Sequence, residues 1–211
     1  MKEIILIQHC QSEHHINNLS GGWTDTPLTD LGRNQADLVG KALKEKIDSK
    51  EYTLISSDLL RASQTAEIVG QHLNLKVKTE FDLREINTGI AAWKTKDWVS
   101  ENAAPMLEGS FDIDHRAFEE GETSRELYIR IVKCMERIYH KNEKNLVIVT
   151  HGCALSYIIG WWLKFTPEMF KEAIFTASPA SISILRSSRY NQNALCLLND
   201  RSHLMGLNHN G

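Results

Sequence analysis

A short apolar run near the start of the chain, Ile4 to Ile7, stops on Gln8, His9 and Cys10 in the stretch "IILIQHCQSEHH". A second histidine, His151, follows the run "NLVIVT" at 145–150. Taken singly, a histidine is more often a satisfied structural residue than a reactive one. Two histidines at the ends of two core strands are a different matter, because one sheet edge would gather both, and ligands bind beyond the carboxyl ends of such strands. Arg61, a few residues beyond a third strand end at Ser56-Ser57, adds a planar fork of donors that suits phosphate or carboxylate. Glu85 follows "DLR" in an irregular segment and could reach the same edge as a proton donor. A nitrogen nucleophile, donors for equatorial oxygens and an acid for a leaving alcohol are the set that phosphoryl transfer requires.

The elements that must position these groups are legible as patterns. Residues 3–8 form a β-rich apolar run, and "TLISS" (53–57) and "NLVIVT" repeat the signal. Thr29 can cap a helix over about 30–47, with Leu31, Gln35, Leu38, Val39, Ala42, Leu43 and Ile47 on one face. A further helix is expected over about 59–73, and Thr123 with Glu126 forms a T-x-x-E capping box that starts another, ending near 141. A buried helix follows His151, and the late strands "SISILRS" and "NALCLLN" close the chain. Strands alternating with helices imply an α/β fold, a three-layer α/β/α sandwich around a mostly parallel sheet. One domain over 1–211 is expected, with residues 76–90 extended and a lid inserted at about 88–121, a stretch rich in Trp, Gly, Asp and Glu without a sustained period.

Composition narrows the partners. A chain of 211 residues, 42% hydrophobic and 24% charged, suits one globular domain with a sizeable core. A formal net charge of −3 argues against a nucleic-acid or membrane surface as the main partner. The opening apolar run is too short for a signal-peptide core or a spanning helix. Four cysteines without CxxC spacing read as reduced thiols of a cytoplasmic protein. His14-His15 offers two ligands for a metal, but no third stands at a recognisable spacing, so no metal and no cofactor are expected. A homodimer is compatible with the sequence and not demanded by it.

These residues also carry a family resemblance. The chain resembles the histidine phosphatase superfamily, in the branch of the cofactor-dependent phosphoglycerate mutases and broad-specificity phosphatases. The family's opening "RHGxTxxN" is matched by "QHCQSEHH" (8–15), and its "TGWxDxPLTxxGRxQA" by "GGWTDTPLTDLGRNQA" (21–36). Then come "SSDLLRASQTAEI" (56–68), "LREINTG" (83–89), "GETSREL" (121–127) and "VIVTHG" (147–152), in order over nearly the whole chain. The resemblance implies a phosphoglycerate mutase-like fold, with His9 as the nucleophile that becomes phosphohistidine, Arg61 and His151 as phosphate clamps, and Glu85 as general acid. It also implies a small phosphorylated substrate, met by Gln8, Ser12, His15, Gly22 and Arg61, with Gly22 allowing a close approach. His151 would serve best as the imidazolium.

The departures from the motif bear on activity. Its arginine is Gln8, its glycine Cys10 and its asparagine His15. Gln8 keeps amide donors but loses charge and the bidentate fork. Such a loss costs about 1.5–3 kcal/mol, or roughly 10²–10³ in rate where an oxyanion donor is removed. Enzymes on phosphate monoesters accelerate by up to about 10²¹-fold, so a weakened phosphatase remains an enzyme. Hydrolysis is expected over mutase chemistry, because residues 88–121 contain only Arg116 to hold a substrate carboxylate. A binding module that holds a phosphorylated ligand without turnover is the alternative, with Gln8 as its evidence. Cys10 and Cys153 are expected to be a tolerated small residue and a buried neighbour. Trp161-Trp162 should pack their helix, and Trp93, Trp98, Met106, Phe111 and Phe118 should give the lid an apolar character.

Overall fold

The computed structural model describes residues 2–106, 111–141 and 144–206. Six strands form one sheet in the order β3-β2-β4-β1-β5-β6: β1 (Glu3–Gln8), β2 (Tyr52–Ser56), β3 (Val77–Thr79), β4 (Asn145–Thr150), β5 (Ile182–Ser187) and β6 (Asn193–Asp200). The first four run parallel, and β5 runs antiparallel to β1 and to β6. The helices are α1 (Glu13–Ile16), α2 (Asp30–Lys46), α3 (Leu60–Leu73), α4 (Lys96–Asn102), α5 (Ser124–Lys141) and α6 (Gly152–Trp162).

Between their polar end residues the central strands β1 and β4 are apolar at every position, Ile4 to Ile7 and Leu146 to Val149, because both faces are covered, as in sheets with crossover helices. Ile4, Leu6, Leu146 and Ile148 point to the layer of α5 and α6, where Leu127, Ile131, Met135, Leu155 and Ile158 meet them. Ile5, Ile7, Val147 and Val149 point the other way, to Ala36, Val39 and Leu43 of α2 and Ala62, Ala66 and Val69 of α3. Alternation along each strand thus builds the expected three layers.

Local signals set the helix starts. The Thr29 hydroxyl accepts from the Gly32 amide and caps α2. The Thr123 amide donates to Glu126, and the Glu126 amide donates to the Thr123 hydroxyl, so the capping box starts α5 as expected. Residues 76–90, expected to be extended and irregular, supply the short edge strand β3, which pattern alone did not reveal, followed by a 3-10 turn at Phe81–Leu83 and the start of another at Gly89. The segment 88–121 leaves and returns through a bridge between Thr88 and Gly121 and carries α4, with residues 107–110 outside the described set. No described helix is long and apolar enough to cross a membrane.

Candidate active site

Parallel strands β1 and β4 pair in a register that sets Gln8 opposite Thr150. The residues just beyond, His9 and His151, therefore emerge side by side, and their ring centroids lie 5.0 Å apart. Arg61, in the first turn of α3, completes the group and is only 1% exposed. All three stand at the carboxyl edge of the sheet, the place anticipated for them.

The hydrogen bonds assign a state to each group. His9 Nδ1–H donates to the Cys10 carbonyl at 2.8 Å, which leaves Nε2 as the lone-pair nitrogen. Arg61 Nε–H donates to that Nε2 at 3.2 Å. Burial, then the Arg61 charge, holds the imidazole well below its ordinary pKa, so it stays neutral and nucleophilic. Arg61 also donates from Nη1 to the Thr24 carbonyl and from Nη2 to the Gly22 carbonyl, each at 2.7 Å. A guanidinium carries five N–H bonds, so one on each Nη stays open to an incoming oxygen. Among the described residues Arg61 makes no ion pair, and burial lowers its pKa to about 10. Glu85 and Asp25 act on it only from beyond ion-pair distance, so a buried cation with no carboxylate in contact gains from an incoming anion.

His151 lies fully buried behind His9, with Nε2 against the Ser57 hydroxyl at 2.8 Å and Nδ1 unpartnered. Burial, then the Arg61 charge, depresses its pKa well below 6.5. His151 is thus held neutral by its burial and by Arg61, in contrast to the imidazolium the sequence suggested. An anionic phosphoryl group would favour the charged form, so that state belongs to the occupied site.

Glu85 reaches the same edge by accepting backbone hydrogens. Its carboxylate takes the amides of Ile86 at 2.9 Å, Cys153 at 3.1 Å and Ala154 at 3.2 Å. The latter two are orphan donors of the first turn of α6. Its carbonyl is held by the Trp23 indole at 2.8 Å and by Arg130 at 3.0 Å. Trp23 and Arg130 were not singled out in the sequence; the only hint was Trp23 within "GGWTDTPLT".

The remaining expected site residues divide. Gln8, His15 and Gly22 line the cleft with His9, Arg61 and Glu85. Gln8 Oε1 is buried and unpartnered. Gly22 has φ +54°, and a Cβ there would meet the Thr88 hydroxyl at 2.4 Å, so the turn requires glycine. Ser12 is fully buried, does not line the cleft and is engaged by the rings of His14 (2.8 Å) and His15 (3.4 Å), so it positions histidines rather than facing a ligand. His14 does line the cleft. Its ring lies 4.0 Å from that of His15, which stacks on His9 at 5.5 Å. The sequence marked His14 only as one of a metal-like pair.

The cysteine expectations split as well. Cys10 is fully buried, and burial pushes its thiol up to about 12, so it is inert. Cys153 corrects its expectation: it is exposed and lines the cleft, because the first turn of α6 opens onto it. The Glu85 charge raises its pKa well above the ordinary thiol value. Trp161 and Trp162 are buried, as expected of packing residues. Trp93 and Trp98 do not reach the cleft; Trp93 is exposed, and Trp98 stacks on Phe118. Among the described residues the one cluster with metal-ligand proximity is Glu80, Asp82 and Cys134, and Arg137 donates to both carboxylates at 2.7 Å.

Residues 4–200 match the histidine phosphatase superfamily (branch 1). The chain belongs to that family. A broad-specificity phosphatase of Saccharomyces cerevisiae is 28% identical over 193 residues, 88% of this chain and 81% of that protein. A probable phosphoglycerate mutase of Escherichia coli is 30% identical over 165 residues, 75% of this chain and 74% of that protein. The solved mycobacterial glucosyl-3-phosphoglycerate phosphatase superposes with a TM-score of 0.79 at 21% identity, over 94% of this chain and 99% of that one, and shares the fold.

Proposed function

We propose that this histidine phosphatase family member hydrolyses phosphomonoesters through a phosphohistidine on His9, without a metal. The observation that carries the reading is Arg61: a buried, unpaired guanidinium that donates to the lone-pair nitrogen of a neutral histidine. It aims an anion's phosphorus at a nucleophile. His9 Nε2 attacks phosphorus as the P–O bond to the alcohol breaks, and Glu85 gives the leaving oxygen a proton. Water then attacks the phosphohistidine and returns a proton to Glu85, which releases phosphate and restores His9. The free N–H bonds of Arg61 meet the charge of the equatorial oxygens, and His151, fully buried with its ring 5.0 Å from that of His9, supports the charge from behind His9.

Gln8 places a neutral amide where the family motif has an arginine, so the site has less fixed positive charge. His14 and His15 stand beside it and can take up protons once a phosphate is bound. A mutase must hold a carboxylated substrate in two orientations, and Arg116, the arginine of segment 88–121, instead pairs with Glu126 at 2.7 Å. That favours hydrolysis. Gln8 also supports a second reading, a module that binds phosphorylated ligands without turning them over.

Phosphate release from p-nitrophenyl phosphate, with a His9→Ala control and a search for an acid-labile phosphoenzyme, separates the two. Release and trapped phosphohistidine in the parent chain alone are expected. Negligible, equal release from both proteins would overturn the hydrolase reading in favour of the binding module.

A further inference from the structure

The cleft occupies about 410 Å³, and its charged and imidazole groups come from the sheet edge, the segment after β1, the start of α3 and Glu85. By contrast, α5, α6 and residues 170–177 line it with apolar side chains and the hydroxyls of Ser124, Ser156 and Thr176. The apolar part of the wall is made by Leu127 of α5, Tyr157 of α6, and Phe170, Ile174 and Phe175 of the segment after α6, together with Phe111. We propose that this end selects the leaving alcohol: the substrates are small phosphomonoesters of an uncharged alcohol bearing an aromatic or branched apolar group, and phosphorylated carboxylates are rejected. The proposal rests on the phosphatase reading above and specifies its substrate class.

The apolar wall is built in advance. The Phe170 ring lies 4.4 Å from that of Tyr157 in a tilted contact and packs so closely on α6 that a Cβ at Gly160 would lie 2.2 Å from it. The Phe175 ring meets that of Phe165 in a tilted contact at 5.4 Å, and its amide donates to the Ser156 hydroxyl at 3.0 Å, which clips the segment to α6. At the mouth, Ile174 is 66% exposed and Phe111 38% exposed, so two large apolar side chains face water where core packing does not require them. Apolar surface rimming a cleft marks a place where an apolar group lands.

Charge makes the complementary argument. Among the described residues that line the cleft, Arg61 is the single arginine or lysine. The other arginines of this side are already engaged: Arg125 by Asp114 and Glu168, Arg130 by Glu122, Arg116 by Glu126. A carboxylate on the alcohol would leave water for an apolar wall in which, Arg61 apart, the described lining residues offer no arginine or lysine, while Glu85 adds like charge. An unpaired charge in such a place is strongly disfavoured.

The test compares 2-phenylethyl phosphate, glycerol 3-phosphate and 3-phosphoglycerate, all esters of primary alcohols, so that leaving-group acidity does not dominate. We expect kcat/KM to be about 100-fold higher for the phenylethyl ester than for glycerol 3-phosphate, or about 2.8 kcal/mol, and lowest for 3-phosphoglycerate. Ile174→Arg at the exposed mouth should lower the phenylethyl value about ten-fold and raise the 3-phosphoglycerate value, so that the ratio of the two falls; an unchanged ratio would count against the wall as the selector. Equal turnover of the three esters by the parent chain would overturn the inference and leave the phosphatase reading standing. Absence of turnover of every ester, p-nitrophenyl phosphate included, would instead overturn that reading. The selectivity is then read by calorimetry with 2-phenylethylphosphonate and 3-phosphonopropionate, where equal affinities overturn it.

Discussion

The two ends of the cleft are made by different means. The phosphoryl end is assembled from strand termini and helix starts, where His9, His151, Arg61 and Glu85 are tied down by hydrogen bonds to backbone or hydroxyl groups. The alcohol end is a wall of side chains from α5, α6 and residues 170–177, held by ring contacts and open to water at Ile174. Hydrogen bonds to a sheet edge fix direction, as chemistry needs; apolar packing fixes volume, as selection needs. Substitutions at the first end should therefore change rate for every ester, and those at the second should change which ester is taken.

The largest expected effect is at the polar end. His9→Ala should abolish turnover of all esters alike, by on the order of 10⁶-fold, the scale seen when a catalytic nucleophile is removed. Steady-state assays across the ester panel check it, and residual turnover that survives for one ester class would blur the division between ends.

Next comes Glu85→Gln. It should slow alkyl esters by roughly 10²–10⁴-fold, the range for a positioned acid, and p-nitrophenyl phosphate far less, because a good leaving group needs no proton. Equal loss on both would show that Glu85 is not the proton donor to the leaving group.

Gln8→Arg tests whether the polar end limits the rate. A charged donor at this position strengthens its contact as the phosphoryl group transfers, so kcat/KM should rise about ten-fold, or about 1.4 kcal/mol. Thermal stability must be followed in parallel, since a guanidinium near the buried Arg61 adds like charge and volume. A stable variant with unchanged turnover would mean that the neutral amide is not the weak point.

The smallest effect is on stability. Burial lowers His14 to about 3 and His15 to about 4, with the neighbouring ring adding to the His14 shift and Arg61 to both. Their folded pKa values lie below the unfolded value of about 6.5, so the unfolded chain binds more protons under acid conditions. The stabilisation is fully present above about pH 6.5 and declines as pH falls toward the folded values. Tm should drop between pH 7 and pH 5, and inorganic phosphate should recover part of that drop, since a bound anion favours the imidazolium. A flat Tm over this range, or no recovery with phosphate, would remove the histidine pair from the anion site.

The two ends also differed in how plainly the sequence announced them. His9 and His151 stand out because polar groups that interrupt apolar runs are conspicuous, and strand ends have a known destination. The capped helices α2 and α5 were legible for the same reason, since Thr29, Thr123 and Glu126 act within one turn of themselves. Trp23 and Arg130, which hold the Glu85 carbonyl, gave no such signal, because contacts spanning 62 and 45 residues leave no local period.

By itself the chain determined the alternation of strands and helices, the capping of two helices and the identity of the polar groups at three strand ends, all of which act over a few residues. Tertiary structure alone decided that Ser12 turns inward to His14 while Cys153 turns out into the cleft. It also decided that Phe170 and Phe175, rather than Trp93 and Trp98, wall the site. Those outcomes depend on which apolar side chains the sheet and its crossover helices leave over once both cores are filled. Hydrophobic residues carry no mark of the partner they will bury against, since apolar attraction is non-directional and only shape and connectivity choose among the candidates.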